Sequence, residues 1–159
     1  MSPTPEIAES SDAAQLRRFE EALPIALLRT REVVMSRFRP HLAKHGVTEQ
    51  QWRVIRAVQQ RPEIEATELA ERCCILMPSL SRMLKTLESE GLLLRSKVVG
   101  DKRRQVISLT AKGETLFATM APVSEKIYAE IEAEFGKEEV SNLIENLQNL
   151  RRQLSPTHP

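Results

Sequence analysis

Between Met77 and Lys112 the chain carries eight basic residues, Arg82, Lys85, Arg95, Lys97, Lys102, Arg103, Arg104 and Lys112, against three acidic ones, Glu88, Glu90 and Asp101. That is a net of +5 within a chain of 159 residues whose total is +1, so the remainder carries −4. Positive charge gathered on one short stretch of a near-neutral protein suits a polyanionic duplex, because phosphate neutralisation supplies much of the affinity for one. Pro78, Ser79, Ser81, Arg82 and Lys85 fall in the first half of a helix there. Serine can read donors or acceptors on base edges, and arginine pairs well with guanine. Asp101-Lys102-Arg103 follows in a charged turn. An arginine at such a tip can enter a minor groove, and Asp101 can hold its guanidinium in a charge-assisted pair. Lys97 and Lys102 suit phosphates without regard to sequence.

A second constellation pairs Trp52 with Arg56, four residues on and therefore on one helix face, with Gln59 continuing that face. A ring for stacking beside a guanidinium for a carboxylate suits a small aromatic acid. Arg31 is a second candidate partner for the anion, and the pocket is expected where the first, second and fifth helices meet. No Ser/His/Asp order, paired carboxylates or phosphate loop stands out, so no catalytic residue is assigned. Three His and two Cys give no metal-ligand spacing, so neither metal nor cofactor is expected. His41 and His45 read as surface residues. Cys73 and Cys74 are neighbours and cannot staple distant segments.

The elements that must position these residues are mostly helical. A first helix should begin near Leu23, with Pro24 in its first turn. It carries Leu23, Leu27, Val34 and Phe38 on one stripe, ends or kinks at Pro40, and closes at Gly46. Thr48-Glu49-Gln50-Gln51 is a capping box opening a second helix that reaches about Gln60. A short third helix spans roughly Ala66 to Cys73. A fourth runs from about Met77 to Gly91, although Leu76 and Met77 stand where a capping side chain is expected. Leu69, Ala70, Cys73, Leu80, Leu84 and Leu87 should pack these two together. The period then changes to two: residues 92–99 and 105–109 read as a β-hairpin around the turn 100–104. Thr110 caps a fifth helix bent at Pro122 and ended by Gly136. A sixth spans about Glu138 to Gln153.

This order predicts a mainly α fold with a small β-hairpin wing: a winged helix-turn-helix embedded between N- and C-terminal dimerisation helices. Residues 1–14 and 155–159 read as a flexible lead and tail, 15–47 and 113–154 as dimerisation regions, and 48–112 as the DNA-binding domain. The leucine-rich face of the sixth helix, Leu143, Leu147, Leu150 and Leu154, would be covered by a second copy. Two-fold symmetry would set two recognition helices about 34–36 Å apart on an inverted repeat. With 41% hydrophobic and 28% charged residues the chain is an ordinary globular one. It has no run near the ~20 apolar residues of a membrane span and no secretory signal, so a cytoplasmic location with no membrane partner is expected.

Several motifs together carry a family resemblance. Glu68-Leu69-Ala70, Arg82 nine residues before Gly91-Leu92, Asp101-x-Arg103 and Ser108-Leu109-Thr110-x-x-Gly113 resemble the MarR family of dimeric winged-helix transcription regulators over residues 20–153. Ile25-Ala26-Leu27-Leu28, Phe38-Arg39-Pro40, Thr48 to Arg53, Cys73-Cys74-Ile75-Leu76 and Pro78-Ser79-Leu80 are similar to the homoprotocatechuate-degradation operon repressors within it. The resemblance implies a homodimer on a palindromic duplex operator, released by a small aromatic acid effector. The uncapped fourth helix and Pro122 depart from the family pattern. Two alternatives stand beside this reading. One is redox sensing through Cys73 or Cys74, although a helix C-terminus opposes a thiolate. The other is a helical adaptor, which, unlike a DNA binder, would show no steep salt slope in a mobility-shift assay.

Overall fold

The computed structural model describes residues 16–155; the expected lead over 1–14 and the tail beyond Ser155 lie outside them. A 3-10 turn at Phe19–Glu21 precedes α1 (Leu23–Lys44), α2 (Glu49–Gln60), β1 (Ile64–Glu65), α3 (Ala66–Cys73), α4 (Met77–Ser89), β2 (Leu93–Val98), β3 (Asp101–Leu109), α5 (Ala111–Phe135) and α6 (Lys137–Leu154). The fold is mainly helical, with a winged helix-turn-helix over α2 to β3. The chain divides into two compact units, Met1–Ser36 and Arg37–Pro159. In the first, Leu23, Leu27, Leu28 and Val33 are all exposed, and Arg31 pairs with Glu32 at 2.9 Å.

Within the second unit the core follows the apolar stripes. Val54, Ile55 and Val58 of α2 are buried, as are Leu69, Ala70 and Cys73 of α3 and Leu80, Leu84 and Leu87 of α4. Burying each leucine contributes about 1.5–3 kcal/mol, enough to fix which face of a short helix turns inward. The capping box of α2 is complete: Gln51 N donates to Thr48 Oγ1, and Thr48 N donates to Gln51 Oε1.

Three expectations need correction, and of the two outcomes expected at Pro40 one is excluded: it does not end α1, which runs on to Lys44. Phe38, His41 and Leu42 around it are buried, and that packing outweighs one missing N–H bond. His41 is therefore not a surface residue. Its Nε2 lies 3.1 Å from the Met120 carbonyl oxygen, and its ring meets His45 edge-on at 5.3 Å. The sheet has three antiparallel strands, in the order β1-β3-β2, not two. Ile64, opposite Ile107, anchors the added strand, whose two residues are too short to show a period.

The hairpin turn is the third correction. Its tip is Val99-Gly100, with Gly100 at φ +90°, so Asp101 to Arg104 belong to β3. Pairing steps from Lys97↔Gln105 to Val98↔Asp101, which leaves Lys102, Arg103 and Arg104 bulged from the ladder without partners in β2.

Candidate nucleic-acid interface and effector site

The turn between α3 and α4 sets the interface. Cys74 adopts the left-handed conformation (φ +51°) that ends α3, and Ile75 N donates to Ala70 O at 3.0 Å. Arg53 of α2 closes the turn from behind, its Nη1 donating to Cys73 O at 2.7 Å. No side chain caps α4: Leu76 holds the capping position and is exposed. Leu80, Leu84 and Leu87 face the core. Pro78, Arg82 and Lys85, at spacings of four and three, lie exposed along the outside, with Ser79 and Ser81 half-buried beside them.

Pairing thins the basic cluster in an informative way. Arg95 of β2 is bound by Glu88 of α4, and Arg104 of β3 by Glu65 of β1. Lys112 Nζ donates to Glu90 O at 2.7 Å. Among the described residues Arg82, Lys85, Lys97, Lys102 and Arg103 have no carboxylate partner and remain available to phosphates. Asp101 departs from expectation: its Oδ1 accepts from the backbone N–H of Arg103 at 3.0 Å, not from the guanidinium. It shapes the bulge and leaves the Arg103 side chain exposed and uncommitted.

The ring-and-guanidinium pair lies in an aromatic cluster. Trp52 is 6% exposed and stacked on Phe117 of α5, with ring centroids 5.7 Å apart. Among the described residues Arg56 has no glutamate partner. Its Nη1 donates to the Tyr128 hydroxyl at 2.8 Å, with the guanidinium carbon 5.7 Å from that ring's centre. Tyr128 in turn tilts against Phe38 of α1 at 4.9 Å. Helices α1, α2 and α5 thus converge through Phe38, Trp52, Arg56, Phe117 and Tyr128. Arg53, Arg56 and Arg72 line an adjoining groove of about 200 Å³ with Gln60 and Cys73. A larger cavity of about 570 Å³, lined by His45, Leu92, Lys112 and Leu116, lies elsewhere and includes none of the cluster's residues. Tyr128 and Phe117 escaped the spacing argument. The only available signal was that Tyr128 is the one tyrosine of the chain.

Cys73 is buried, and loss of solvation pushes its thiol above the ordinary range despite the nearby Arg53. That opposes thiolate chemistry there. No helix among the described residues is long and apolar enough to cross a membrane.

Residues 47–104 match the model of the MarR family. The chain is 43% identical over 123 residues, 77% of its length and 83% of the relative's, to the homoprotocatechuate degradative operon repressor of Escherichia coli. The solved structure of the transcriptional regulator PA4135 is similar at a TM-score of 0.80 and 44% identity, covering 85% of this chain and 98% of that one. NadR in complex with 4-hydroxyphenylacetate is similar at a TM-score of 0.76 and 35% identity, covering 86% and 96%. The first two of these are named as regulators of transcription, not as enzymes. The chain belongs to the MarR family and is a winged-helix, DNA-binding regulator of transcription.

Proposed function

We propose that the protein is a repressor that holds an inverted-repeat operator as a homodimer and releases it when a small aromatic carboxylic acid, such as a hydroxyphenylacetate, binds beside Arg56. Residues 15–47 and 113–154 make the subunit contact in this reading, and 48–112 grip the duplex. Pro78, Ser79, Ser81, Arg82 and Lys85 face the major groove. Arg103 enters the minor groove, positioned by Asp101, while Lys97 and Lys102 bind phosphates.

The observation that carries the effector reading is the state of Arg56. Its guanidinium lies 5.7 Å from the centre of the Tyr128 ring and is bound to that neutral phenol instead of a carboxylate. A half-buried cation without a counter-ion favours an incoming anion, and the guanidinium fork matches a carboxylate. Trp52 and Phe117 supply stacking surface for the ring of the acid. Arg31 is a weaker choice, because its guanidinium is already paired with Glu32. The relative named for homoprotocatechuate degradation and the NadR complex with 4-hydroxyphenylacetate support this ligand class.

Release is a population shift. The acid must prefer a dimer geometry whose recognition helices no longer match adjacent turns, and a coupling of about 1–3 kcal/mol weakens operator binding roughly 5–150-fold. Titrating 4-hydroxyphenylacetate into the protein bound to an operator duplex selected in vitro tests the proposal. Release is expected from wild type and not from Arg56→Ala, with operator binding intact in both. Retention of the duplex at saturating acid would overturn it.

A further inference from the structure

One side-chain hydroxyl in the described structure is out of keeping with its neighbours. Ser124 of α5 is 3% exposed, and its Oγ is a buried polar atom without a hydrogen-bond partner. Other hydroxyls of these helices fold back onto the carbonyl one turn earlier: Thr115 onto Ala111 O at 2.9 Å, Thr119 onto Thr115 O at 2.8 Å and Ser141 onto Lys137 O at 3.0 Å. For Ser124 that carbonyl belongs to Met120, and His41 Nε2 already lies 3.1 Å from it. Buried polar groups are almost always satisfied, and an alanine would fit a helix interior better than this serine. The orphan hydroxyl therefore calls for a partner that is not part of the described chain.

Its position says which kind. On α5 Ser124 lies four residues before Tyr128 and seven after Phe117, so the three share one face. Phe117 carries the stack on Trp52, and Tyr128 carries the bond to Arg56. The hydroxyl thus stands on the stretch of helix between the ring-stacking end of the cluster and its guanidinium end. Four residues of helix rise about 6 Å. That is roughly the span from the carboxylate of a phenylacetate to a substituent on the far side of its ring. Pro122 leaves the Ala118 carbonyl without its helical donor, but that residue lies off this face, so Ser124 supplies the polar side-chain atom at that point of it.

We infer that Ser124 is the hydrogen-bond partner of a ring hydroxyl on the effector, and so makes the site select ring-hydroxylated aromatic acids over unsubstituted ones. The inference rests on the aromatic-acid reading and adds the residue that discriminates within that class. A serine hydroxyl both donates and accepts, so it can take a phenol in either sense. Because the Ser124 hydroxyl is already buried and unpaired in the free protein, a ring-hydroxylated acid gains a hydrogen bond there that an unsubstituted acid does not, and that difference sets the two apart in affinity.

The test is calorimetric or fluorescence titration of the full chain with phenylacetate, 4-hydroxyphenylacetate and 3,4-dihydroxyphenylacetate. Trp52, the one tryptophan, is the reporter. Wild type is compared with Ser124→Ala and Ser124→Thr, and thermal melting checks that each variant folds. Wild type should bind at least one hydroxylated acid about tenfold or more tightly than phenylacetate. Ser124→Ala should erase that preference while leaving phenylacetate affinity unchanged, and Ser124→Thr, which keeps the hydroxyl, should retain part of it. Equal affinities for all three acids in wild type, or a preference that survives in Ser124→Ala, would overturn the role of Ser124 and leave the aromatic-acid reading standing. Absence of binding by every acid in wild type would overturn both.

Discussion

Glu88 in the last turn of α4 and Arg95 in β2 form a two-pronged ion pair, Nε to Oε1 at 2.9 Å and Nη2 to Oε2 at 2.5 Å. The pair ties the helix that carries Arg82 and Lys85 to the hairpin that carries Lys97 and Arg103. Neither arginine nor glutamate needs to touch DNA for the spacing of the two surfaces proposed to face it to depend on them. Replacing Glu88 with Gln should lower operator affinity several-fold while leaving the circular-dichroism spectrum unchanged. Wild-type affinity in Glu88→Gln would show that the hairpin is positioned by the sheet alone.

The same pair has a pH signature. The hydrogen bond from Arg95 holds the Glu88 carboxyl below the usual glutamate range, against the opposing effect of burial. A carboxyl whose folded value is depressed stabilises the fold fully above its unfolded value, and loses that contribution as pH falls through the folded one. The gap in melting temperature between wild type and Glu88→Gln should therefore be present at neutral pH and close under acid conditions. The pair is partly exposed and screened, so the gap corresponds to about 1 kcal/mol at most.

On β3, Asp101 holds the backbone of the bulge while the Arg103 side chain is free. Arg103→Ala should weaken operator binding strongly and Asp101→Ala less, because the second change loosens the arginine without removing it. Lys97→Ala and Lys102→Ala should weaken all duplexes alike, each flattening the log–log salt slope by about 0.9. A salt slope unchanged in both lysine variants would remove them from the phosphate contact.

How far such residues can be read from sequence depends on whether their partners are local. The capping box at Thr48 and Gln51 was legible because both of its hydrogen bonds close within three residues. The leucines of α4 were legible because one helix face decides their burial. Ile64–Glu65 was not, because its strand identity comes from β3, some forty residues on. Tyr128 was missed for the same reason: its bond to Arg56 spans 72 residues, and a single aromatic in a mixed stripe has no period of its own. Pro40 left an end and a kink open, and the burial of Phe38, His41 and Leu42 around it excludes the end.

Gly113 gives a prediction that needs no ligand. Thr110 Oγ1 accepts from Gly113 N at 3.0 Å and donates to Gly91 O at 2.5 Å, tying the end of β3 and the start of α5 to the exit of α4. A Cβ at Gly113 would overlap the carbonyl of Leu92, which is backbone and cannot turn aside. Gly113→Ala should destabilise the protein by about 1–3 kcal/mol in chemical denaturation, despite alanine's better helix propensity. Unchanged stability would mean that the junction yields freely.

Helix α6 has no buried residue, and Leu143, Ile144, Leu147 and Leu154 along it are all exposed. An apolar stripe of this length on an otherwise charged helix is not a stable surface in water. In a two-fold assembly the same stripe on two copies would cover itself. Leu147→Asp should convert the protein to monomer in sedimentation velocity with α2, α3 and α4 still folded, because α6 contributes no buried residue to their core. Such a monomer should bind a half-site and a full inverted repeat with similar, weak affinity, whereas wild type should favour the full repeat by orders of magnitude. A Leu147→Asp protein that stays dimeric would move the subunit contact off this stripe and onto other apolar surface, such as that of Leu23, Leu27 and Leu28.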